Sequence, residues 1–338
     1  MTEGLHFIAR RLPGSQALAT RMMYAAKRSF DGAVAKRIDW LDPDAVVAMM
    51  ASAELTLRAM RQSGRLGVLN FVNSHPSYHN SYLRELAGLS HNHHELIRDD
   101  VAKQVEAELE LADLVLVPSR FVANQLFELG MPSDKVAVRP YGVDLSKFRP
   151  HRGTTSRASG DSMRCLYLGQ IAHRKGIKIL LDAARRLSGR PMEFILVGPL
   201  VSPELLRDMP ANVRWLGAMA HEDAAKQLQI ADVFVLPSLE DAYPLVTMEA
   251  MATSLPVVVS DHAGTSELIT NGLDGLIVPA GQVMPLVQAF QQLLDDQTLR
   301  ITMGSAARRR IETDGSWDQY GLAVLDRIGR QWATARTS

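Results

Sequence analysis

Residues 232–260 read DVFVLPSLEDAYPLVTMEAMATSLPVVVS, two short apolar runs separated by a longer segment. The runs Asp232–Leu236 and Pro256–Ser260 have the length and valine content of buried strands, and the segment between them is long enough for a helix. A strand, a helix and a second strand in this order form the repeating unit of a parallel sheet. The stretch therefore predicts an α/β fold.

The same alternation extends along the chain in two blocks. Between the blocks, residues 151–162 (HRGTTSRASGDS) have no periodicity and are rich in Gly, Ser, Thr and Arg, which predicts an interdomain linker. Four strands are predicted before the linker and six after it, at Ala45–Met50, Leu66–Phe71, Asp113–Val117, Lys135–Val138, Arg164–Leu168, Glu193–Val197, Val213–Leu216, Asp232–Leu236, Pro256–Ser260 and Leu276–Val278. Continuous apolar strands of this length are typical of parallel sheets buried on both faces.

We predict two Rossmann-like, doubly wound domains, the first in residues 1–150 and the second in residues 163–316. Residues 317–338 are predicted to form a C-terminal helix that crosses back to the first domain. In the second domain a helical stretch is expected after every strand. In the first domain helices are expected near residues 52–62, 95–111 and 119–129.

Residues 5–37 are predicted to be mainly helical, so the first convincing strand begins near Ala45. We interpret the first domain as incomplete, lacking the first strands of its type. An incomplete sheet presents an unpaired edge. We expect helix 5–37 to cover that edge or to exchange between the two chains of a homodimer.

Composition excludes several classes of protein. The 338 residues contain 37 basic and 37 acidic side chains, so no net charge favours nucleic acid as a partner. Cys165 is the single cysteine and lies in an apolar run, which excludes a disulfide within the chain and makes a redox role improbable. No run approaches about eighteen apolar residues, and the N-terminus lacks the pattern of a signal peptide. We expect a cytoplasmic protein.

Residues 1–30 contain five basic side chains and one acidic one. Two interpretations stay open: a helix packed on its own domain, or a basic helix that binds the inner membrane surface peripherally.

The segment after Leu236 is predicted to bind an anion. Pro244 suits the first position of a helix, where its missing N–H needs no partner, and the amides of Leu245 and Val246 would then point outward. Free amides at the positive end of a helix dipole favour a phosphate group. Glu249 lies among apolar side chains and needs a hydrogen-bond partner, either a ligand hydroxyl or a neighbouring Lys or Arg.

A second candidate is the loop LGQIAHRKG, residues 168–176. Arg174 and Lys175 follow a predicted strand, where they could neutralise a diphosphate or simply form solvated surface. Gly169, Gly198 and Gly217 also follow strands. Glycine there allows the backbone to approach a ligand closely, or only completes a turn.

Taken in order, these motifs resemble the family 4 glycosyltransferases, which have the GT-B fold. The family's acid pair has seven residues between its members, as do Asp241 and Glu249. The resemblance is collinear from about residue 112 to 317 and continues through VPS (117–119), PYGVD (140–144), AGTSELI (263–269), NGLDGLIVP (271–279) and Ser316-Trp317. An ordered series is more specific than any single glycine motif.

The resemblance implies a retaining glycosyltransferase that moves a hexose-type sugar from a UDP- or GDP-sugar to an acceptor, in glycan, polysaccharide or glycolipid biosynthesis. By the family's pattern Glu249 binds the ribose and Asp241 faces the donor sugar, while the amides after Pro244 hold phosphate. Lys175 matches the lysine that stabilises charge on the leaving nucleotide.

The same resemblance implies transfer without a metal ion or other cofactor, since Lys175 supplies the charge that a metal would otherwise provide, and no Asp-x-Asp pair lies in the matching motifs. Three positions depart from the family's pattern. Asp241 is one methylene shorter than the usual Glu, Gln170 stands where a basic residue is usual, and Pro244 replaces a common Gly. We expect Arg174 to supply the charge missing at position 170.

Histidines mark the first domain. In NSHPSYH, residues 73–79, His75 is the candidate for a side chain near the transferred sugar and His79 is the next choice, with a structural histidine as the alternative. The run HNHHE, residues 91–95, resembles a metal cluster. We predict no metal there, because three crowded histidines converge poorly on one ion and no spaced partner ligands follow.

Two other functions remain open, because a fold does not determine a reaction. A nucleotide-sugar 2-epimerase or a phosphorylase shares this two-domain fold. The second open function is that of a non-catalytic homologue that binds a nucleotide sugar or a partner protein. The acceptor of a transferase could be a lipid-linked saccharide, a polysaccharide end or a small alcohol.

Overall fold

A computed structural model describes residues 16–150 and 162–335, and it contains two parallel sheets. The first sheet has the order β1-β2-β3-β4, and the second has the order β10-β9-β8-β5-β6-β7. The strands are β1 Ala45–Met49, β2 Leu66–Asn70, β3 Leu114–Val117, β4 Val136–Val138, β5 Met163–Leu168, β6 Met192–Val197, β7 Val213–Trp215, β8 Val233–Leu236, β9 Val257–Ser260 and β10 Leu276–Val278. All ten predicted strands are thus present, with ends that shift by a residue.

Helices cover both sheets within the described residues. They are α1 Gln16–Ala35, α2 Ile38–Leu41, α3 Glu54–Gln62, α4 Pro76–Ala87, α5 Asp99–Leu111, α6 Arg120–Glu128, α7 Ile177–Arg186, α8 His221–Ile230, α9 Leu245–Ala252, α10 Val283–Asp295, α11 Gln297–Asp314 and α12 Trp317–Ala335. The first fifteen residues and residues 151–161, which include nearly all of the predicted linker, lie outside the described part of the chain.

The prediction of a helix after every strand of the second domain is wrong at two places. After β6 and after β9 the chain forms only the short 3-10 turns Pro203–Leu206 and Gly264–Leu268. Proline follows β6 closely and repeatedly, at Pro199, Pro203 and Pro210, and each proline removes an amide donor that a longer helix would need. Helix α4 was not predicted, because its polar first half hides the apolar spacing.

The direction of winding reverses inside the second sheet. The chain moves from β5 outward to β6 and β7, then returns to the other side of β5 for β8, β9 and β10. Loops that follow β5 and β8 therefore leave the sheet in opposite directions and open a crevice between them. Ligands of doubly wound folds bind at this type of reversal.

Helix α1 packs on its own domain. The Asp31 carboxylate accepts hydrogen bonds from the amides of Leu55 and Thr56 at 2.8 and 2.9 Å, and so caps the start of α3. Strand β1 is an edge of the first sheet, and its Val47 and Met49 side chains are about half exposed.

Helix α12 returns to the first domain from the end of the second. Its Val324, Ile328 and Trp332 side chains pack against a buried cluster on the first sheet that contains Leu66 and Leu114. The helix therefore covers one face of a sheet to which it is remote in sequence.

None of the described helices is both long enough and apolar enough to cross a membrane.

Cys165 is buried in β5, and burial raises the pKa of its thiol well above the ordinary value.

Candidate functional site

The two loops singled out in the sequence meet at the reversal of the second sheet. The turn His173–Lys175 follows β5, and residues 237–244 follow β8. The Leu239 amide donates to the Arg174 carbonyl at 2.8 Å. Gly176 has a left-handed φ of +69°, and a Cβ atom there would lie 1.8 Å from the Pro237 carbonyl oxygen. Only glycine permits this close approach, which places Lys175 beside the second loop.

Lys175 contacts the Asp241 carboxylate directly, and both side chains are about one-tenth exposed. Burial lowers the pKa of Lys175, while the adjacent Asp241 acts in the opposite direction. Arg174 lies 3.9 Å from the carboxylates of both Glu240 and Asp241 and donates to the Glu240 carbonyl at 3.1 Å. Two predicted cations therefore sit together in the crevice, each against an acid that an anionic ligand could replace.

Glu240, directly before Asp241, was missed in the sequence. Its buried carboxylate lies 2.7 Å from His79 Nδ1 on α4 of the first domain. Burial alone would raise the pKa of Glu240, but the His79 hydrogen bond and the Arg174 charge outweigh it and lower the pKa to about 2. His79 Nε2 faces the Glu95 carbonyl oxygen at 3.0 Å. Both ring nitrogens of His79 thus face oxygen atoms, one from each domain.

The role of Glu95 was not predicted either, since no sequence pattern relates Glu95 to His173. From the first domain its carboxylate accepts hydrogen bonds from the His173 and Arg174 amides, both at 2.9 Å, and from the Ser202 hydroxyl at 2.6 Å. These bonds lower its pKa even though burial opposes them. The turn that carries the two cations is thereby tied to the first domain.

The three predicted glycines lie side by side at the carboxyl ends of β5, β6 and β7. The Gly198 amide donates to the Gly217 carbonyl at 2.8 Å, and a Cβ on Gly198 would lie 1.8 Å from the Gly169 carbonyl oxygen. Glycine at position 198 therefore permits close contact between neighbouring turns of the protein itself.

Helix α9 begins one residue later than predicted, with Pro244 as its N-cap. The first amide recorded with a bond into the helix is that of Thr247, which donates to the Pro244 carbonyl at 3.0 Å. The Leu245 and Val246 amides thus precede the hydrogen-bonded part of the helix, as an anion site requires.

Glu249 lies on α9, and its Oε1 is 3.2 Å from His221 Nε2 at the start of α8. The recorded partner is thus a histidine rather than the Lys or Arg considered in the sequence. Burial raises the pKa of Glu249, and the His221 hydrogen bond offsets part of the rise. His221 itself carried no sequence signal beyond following Gly217.

His75 occupies a different environment from His79. It is the N-cap of α4, and its Nδ1 lies 2.8 Å from the Ser77 hydroxyl, while its amide donates to Gln125 Oε1 at 3.0 Å. Burial lowers its pKa to about 4. The structure therefore places His79, the second choice, at the crevice, and gives the first choice the features of a structural histidine.

A cavity of about 620 Å³ lies between the two domains. The second domain contributes Arg174 and Glu240 to its wall, and the first contributes His79 and Glu95 together with the ends of β1 and β2.

An Asp-x-Asp pair does occur in the chain, at Asp42 and Asp44, but it precedes β1 at the opposite end of the sheet, and Asp42 is paired with Arg65.

Two family models match the chain. Residues 155–310 match "Glycosyl transferases group 1", and residues 6–147 match "Glycosyltransferase Family 4". Among solved structures, a sucrose-phosphate synthase from Thermosynechococcus elongatus superposes with a TM-score of 0.73 at 22% identity, covering 96% of this chain and 81% of that one. Anabaena HepE in complex with UDP superposes with a TM-score of 0.71 at 17% identity, covering 88% and 82%. These likenesses establish the GT-B fold.

Similar curated proteins include the amylovoran biosynthesis glycosyltransferase AmsK of Erwinia amylovora, 29% identical over 60% of this chain and 52% of the relative. A D-inositol 3-phosphate glycosyltransferase of Pseudarthrobacter chlorophenolicus is 31% identical over 64% and 55%. The colanic acid biosynthesis glycosyltransferase WcaL of Escherichia coli, itself described as putative, is 30% identical over 60% and 53%. The chain spans about half the length of these relatives. One family model matches each of the two domains, and the two domains together form the GT-B fold. The chain therefore belongs to the group 1, family 4 glycosyltransferases.

Proposed function

We propose that this protein is a retaining glycosyltransferase that moves a hexose-type sugar from a UDP- or GDP-sugar to a glycan-type acceptor. The observation that carries the proposal is the meeting of Lys175, Arg174 and Asp241 at the reversal of the second sheet. Cations held at that position can bind a diphosphate and stabilise the charge that develops as the glycosidic bond breaks.

The relatives support a role in polysaccharide or glycolipid biosynthesis. AmsK is named for amylovoran and WcaL for colanic acid, and HepE has been solved with UDP and with UDP-glucose. We extend to this chain the polysaccharide biosynthesis for which AmsK and WcaL are named and the UDP-sugar binding seen in HepE.

In the proposed donor complex the diphosphate takes the place of Asp241 as the partner of Lys175. Asp241 then turns to the sugar hydroxyls, the Leu245 and Val246 amides bind phosphate, and Glu249 accepts from the ribose. We expect the turns at Gly169, Gly198 and Gly217, which follow β5, β6 and β7, to border the donor. The C1–O bond to the diphosphate breaks, and the acceptor oxygen bonds to C1 on the same face. Its proton passes to the departing phosphate oxygen.

The acceptor would enter the interdomain cavity, whose wall carries the His79 imidazole and the Glu240 carboxylate. Such a pair can donate to and accept from sugar hydroxyls, which suits a saccharide better than an apolar alcohol.

Transfer is proposed to need no divalent metal, because Lys175 and Arg174 supply the positive charge. Adding Mg²⁺ or Mn²⁺ to protein freed of these two ions should leave its activity unchanged. A rate that depends on either of these ions would contradict this part of the proposal.

The main test is incubation of purified protein with radiolabelled UDP- and GDP-sugars, with and without saccharide acceptors. Release of nucleotide together with a labelled α-linked product from an α-linked donor is the expected result. Glu249→Gln should weaken nucleotide binding measured by calorimetry, by roughly 1.5–3 kcal/mol if a charge-assisted bond to the ribose is lost. Conversion of one free nucleotide sugar to its epimer, or tight binding without any turnover, would overturn the proposal in favour of the two alternatives.

A further inference from the structure

Three potential metal ligands from distant parts of the chain meet beside the donor crevice. His93 comes from the first-domain loop between α4 and α5, His173 opens the turn that carries Arg174, and Glu204 lies in the turn after β6. One ligand atom from each lies within 4.8 Å of the other two. His173 Nε2 is 3.0 Å from Glu204 Oε1, and the His93 and His173 rings meet edge to face with centroids 5.3 Å apart.

We propose that His93, His173 and Glu204 form an interdomain site for a zinc-class transition-metal ion. Two imidazoles and one carboxylate are an established donor set for Zn²⁺, with a water molecule as fourth ligand. At bond lengths of 2.0–2.2 Å, tetrahedral ligand atoms lie about 3.3–3.6 Å from one another. The His173–Glu204 pair, at 3.0 Å, is near that separation, and the His93 ligand atom lies within 4.8 Å of both partners. Mg²⁺ prefers oxygen ligands in an octahedron and does not suit this set.

The surrounding hydrogen bonds hold all three ligands in place. The Glu95 carboxylate accepts from the His173 amide and from the hydroxyl of Ser202, two residues before Glu204. The Glu95 amide donates to His93 Nδ1 at 3.3 Å. One first-domain residue thus positions every segment of the site, and outer bonds of this kind orient metal ligands in known sites.

A second grouping, His93, His94 and Glu95, also has its ligand atoms within 4.8 Å. It suits a metal less well, because the Glu95 carboxylate already accepts three hydrogen bonds and His94 is exposed. Three consecutive residues also converge poorly on one ion. The prediction of no metal at residues 91–95 rested in part on the lack of spaced partner ligands, and His173 and Glu204 in the other domain are such partners of His93.

An ion at this site would tie the two domains together and fix the turn that presents Arg174 and Lys175. Its role would be structural or regulatory, separate from the reaction, so the inference stands whether or not the proposed transfer activity is found.

The test uses the full chain after removal of metals by chelation and dialysis. Titration with Co²⁺, a spectroscopic substitute for Zn²⁺, should produce the intense visible absorption of tetrahedral coordination, with one ion bound per chain. Zn²⁺ should displace Co²⁺ and raise the midpoint of thermal unfolding, whereas Mg²⁺ should do neither.

His93→Ala, His173→Ala and Glu204→Gln should each weaken Zn²⁺ binding by at least about tenfold. Glu204→Gln is the conservative variant that keeps the exposed side chain and the fold, and circular dichroism checks the other two. His91→Ala, in the same loop but outside both groupings, is the matched control and should bind as the wild type does. Absence of Co²⁺ absorption at micromolar protein would overturn the site. Binding that is lost in His94→Ala but kept in His173→Ala would overturn it in favour of the loop alone.

Discussion

The Lys175 ammonium is buried against Asp241, and its neighbour Arg174 faces the same acid from 3.9 Å. In the absence of an anionic ligand, Glu240 and Asp241 pair with the Arg174 and Lys175 side chains. The charges of the site are therefore balanced before a donor arrives. A diphosphate has to compete with Asp241, which makes the exchange of partners the physical basis of donor binding.

Lys175→Ala should reduce turnover by on the order of 100-fold or more, because its charge acts mainly on the leaving group in the transition state. Lys178→Ala is the matched control, since the Lys178 side chain is exposed on α7 and forms an ion pair with Asp182 of the same helix. Comparison of kcat and KM for the accepted donor is the measurement. Wild-type kcat in Lys175→Ala would remove the diphosphate assignment.

His75 provides a pH prediction. Its folded pKa of about 4 lies below the ordinary 6.5, so between these values the unfolded chain binds a proton that the folded chain does not. Its contribution to stability is present in full above pH 6.5 and is lost as the pH falls toward 4. The loss amounts to roughly 3 kcal/mol at most.

His75→Asn keeps a side chain that can cap α4 but cannot titrate. Urea unfolding at pH 7 and pH 4.5 should therefore show a smaller acid-induced loss in this variant than in the wild type. Equal losses in both proteins would mean that His75 does not titrate as described.

At the scale of elements, the junction between the His173–Lys175 turn and α7 depends on the contact of Gly176 with the Pro237 carbonyl. This contact holds the loop after β5 against the loop after β8. The Glu95 hydrogen bonds hold the same turn from the opposite side. A three-residue turn is thus positioned by two loops from different parts of the chain.

Gly176→Ala should destabilise the second domain by more than about 3 kcal/mol, because the new methyl group cannot fit without moving the backbone. Gly189→Ala isolates the conformational part of the effect. Gly189 also has a positive φ, +87°, but a Cβ there has no neighbour within 4 Å, and we expect a cost of only roughly 1–2 kcal/mol. Thermal and urea unfolding measure both. Similar costs in the two variants would show that the loops are not in close contact.

At the scale of the whole molecule, α12 connects the two domains by covering the first sheet. Arg139, directly after β4, reinforces the packing of α12 on the first sheet, since its guanidinium Nε donates to the Ala323 carbonyl at 3.0 Å. The domains also meet where the Glu267 carboxylate accepts the Arg120 amide at 2.8 Å, at the start of α6. The two domains are therefore in contact at several separate places.

Ile328→Ala should lower the stability of the first domain by about 1–2 kcal/mol, because the side chain is partly buried against the sheet. Leu325→Ala, on the same helix but 68% exposed, should change stability little. Hydrogen exchange of β2 and β3 amides is the readout, and faster exchange is expected only in Ile328→Ala. The same exchange in both variants would place α12 away from the first sheet.

The sequence alone determined the strands, the α/β class and the division into two domains, and its resemblance to a known family supplied the GT-B fold. These features are local: apolar runs, glycine and proline positions, and motif order all act over a few residues, so periodicity and spacing reveal them. The missing helix after β6 shows the limit, because apolar spacing does not report whether enough amide donors remain for a helix.

Only the tertiary structure decided which side chains meet across the crevice. Glu95 binds amides 78 and 79 positions away, and His79 lies on Glu240 161 positions away. Such contacts depend on how two rigid sheets are placed relative to one another, and that placement is the sum of many weak packing contacts along both domains. No single stretch of the chain encodes it, which is why His79 rather than His75 faces the crevice and why His93 finds ligand partners in the other domain.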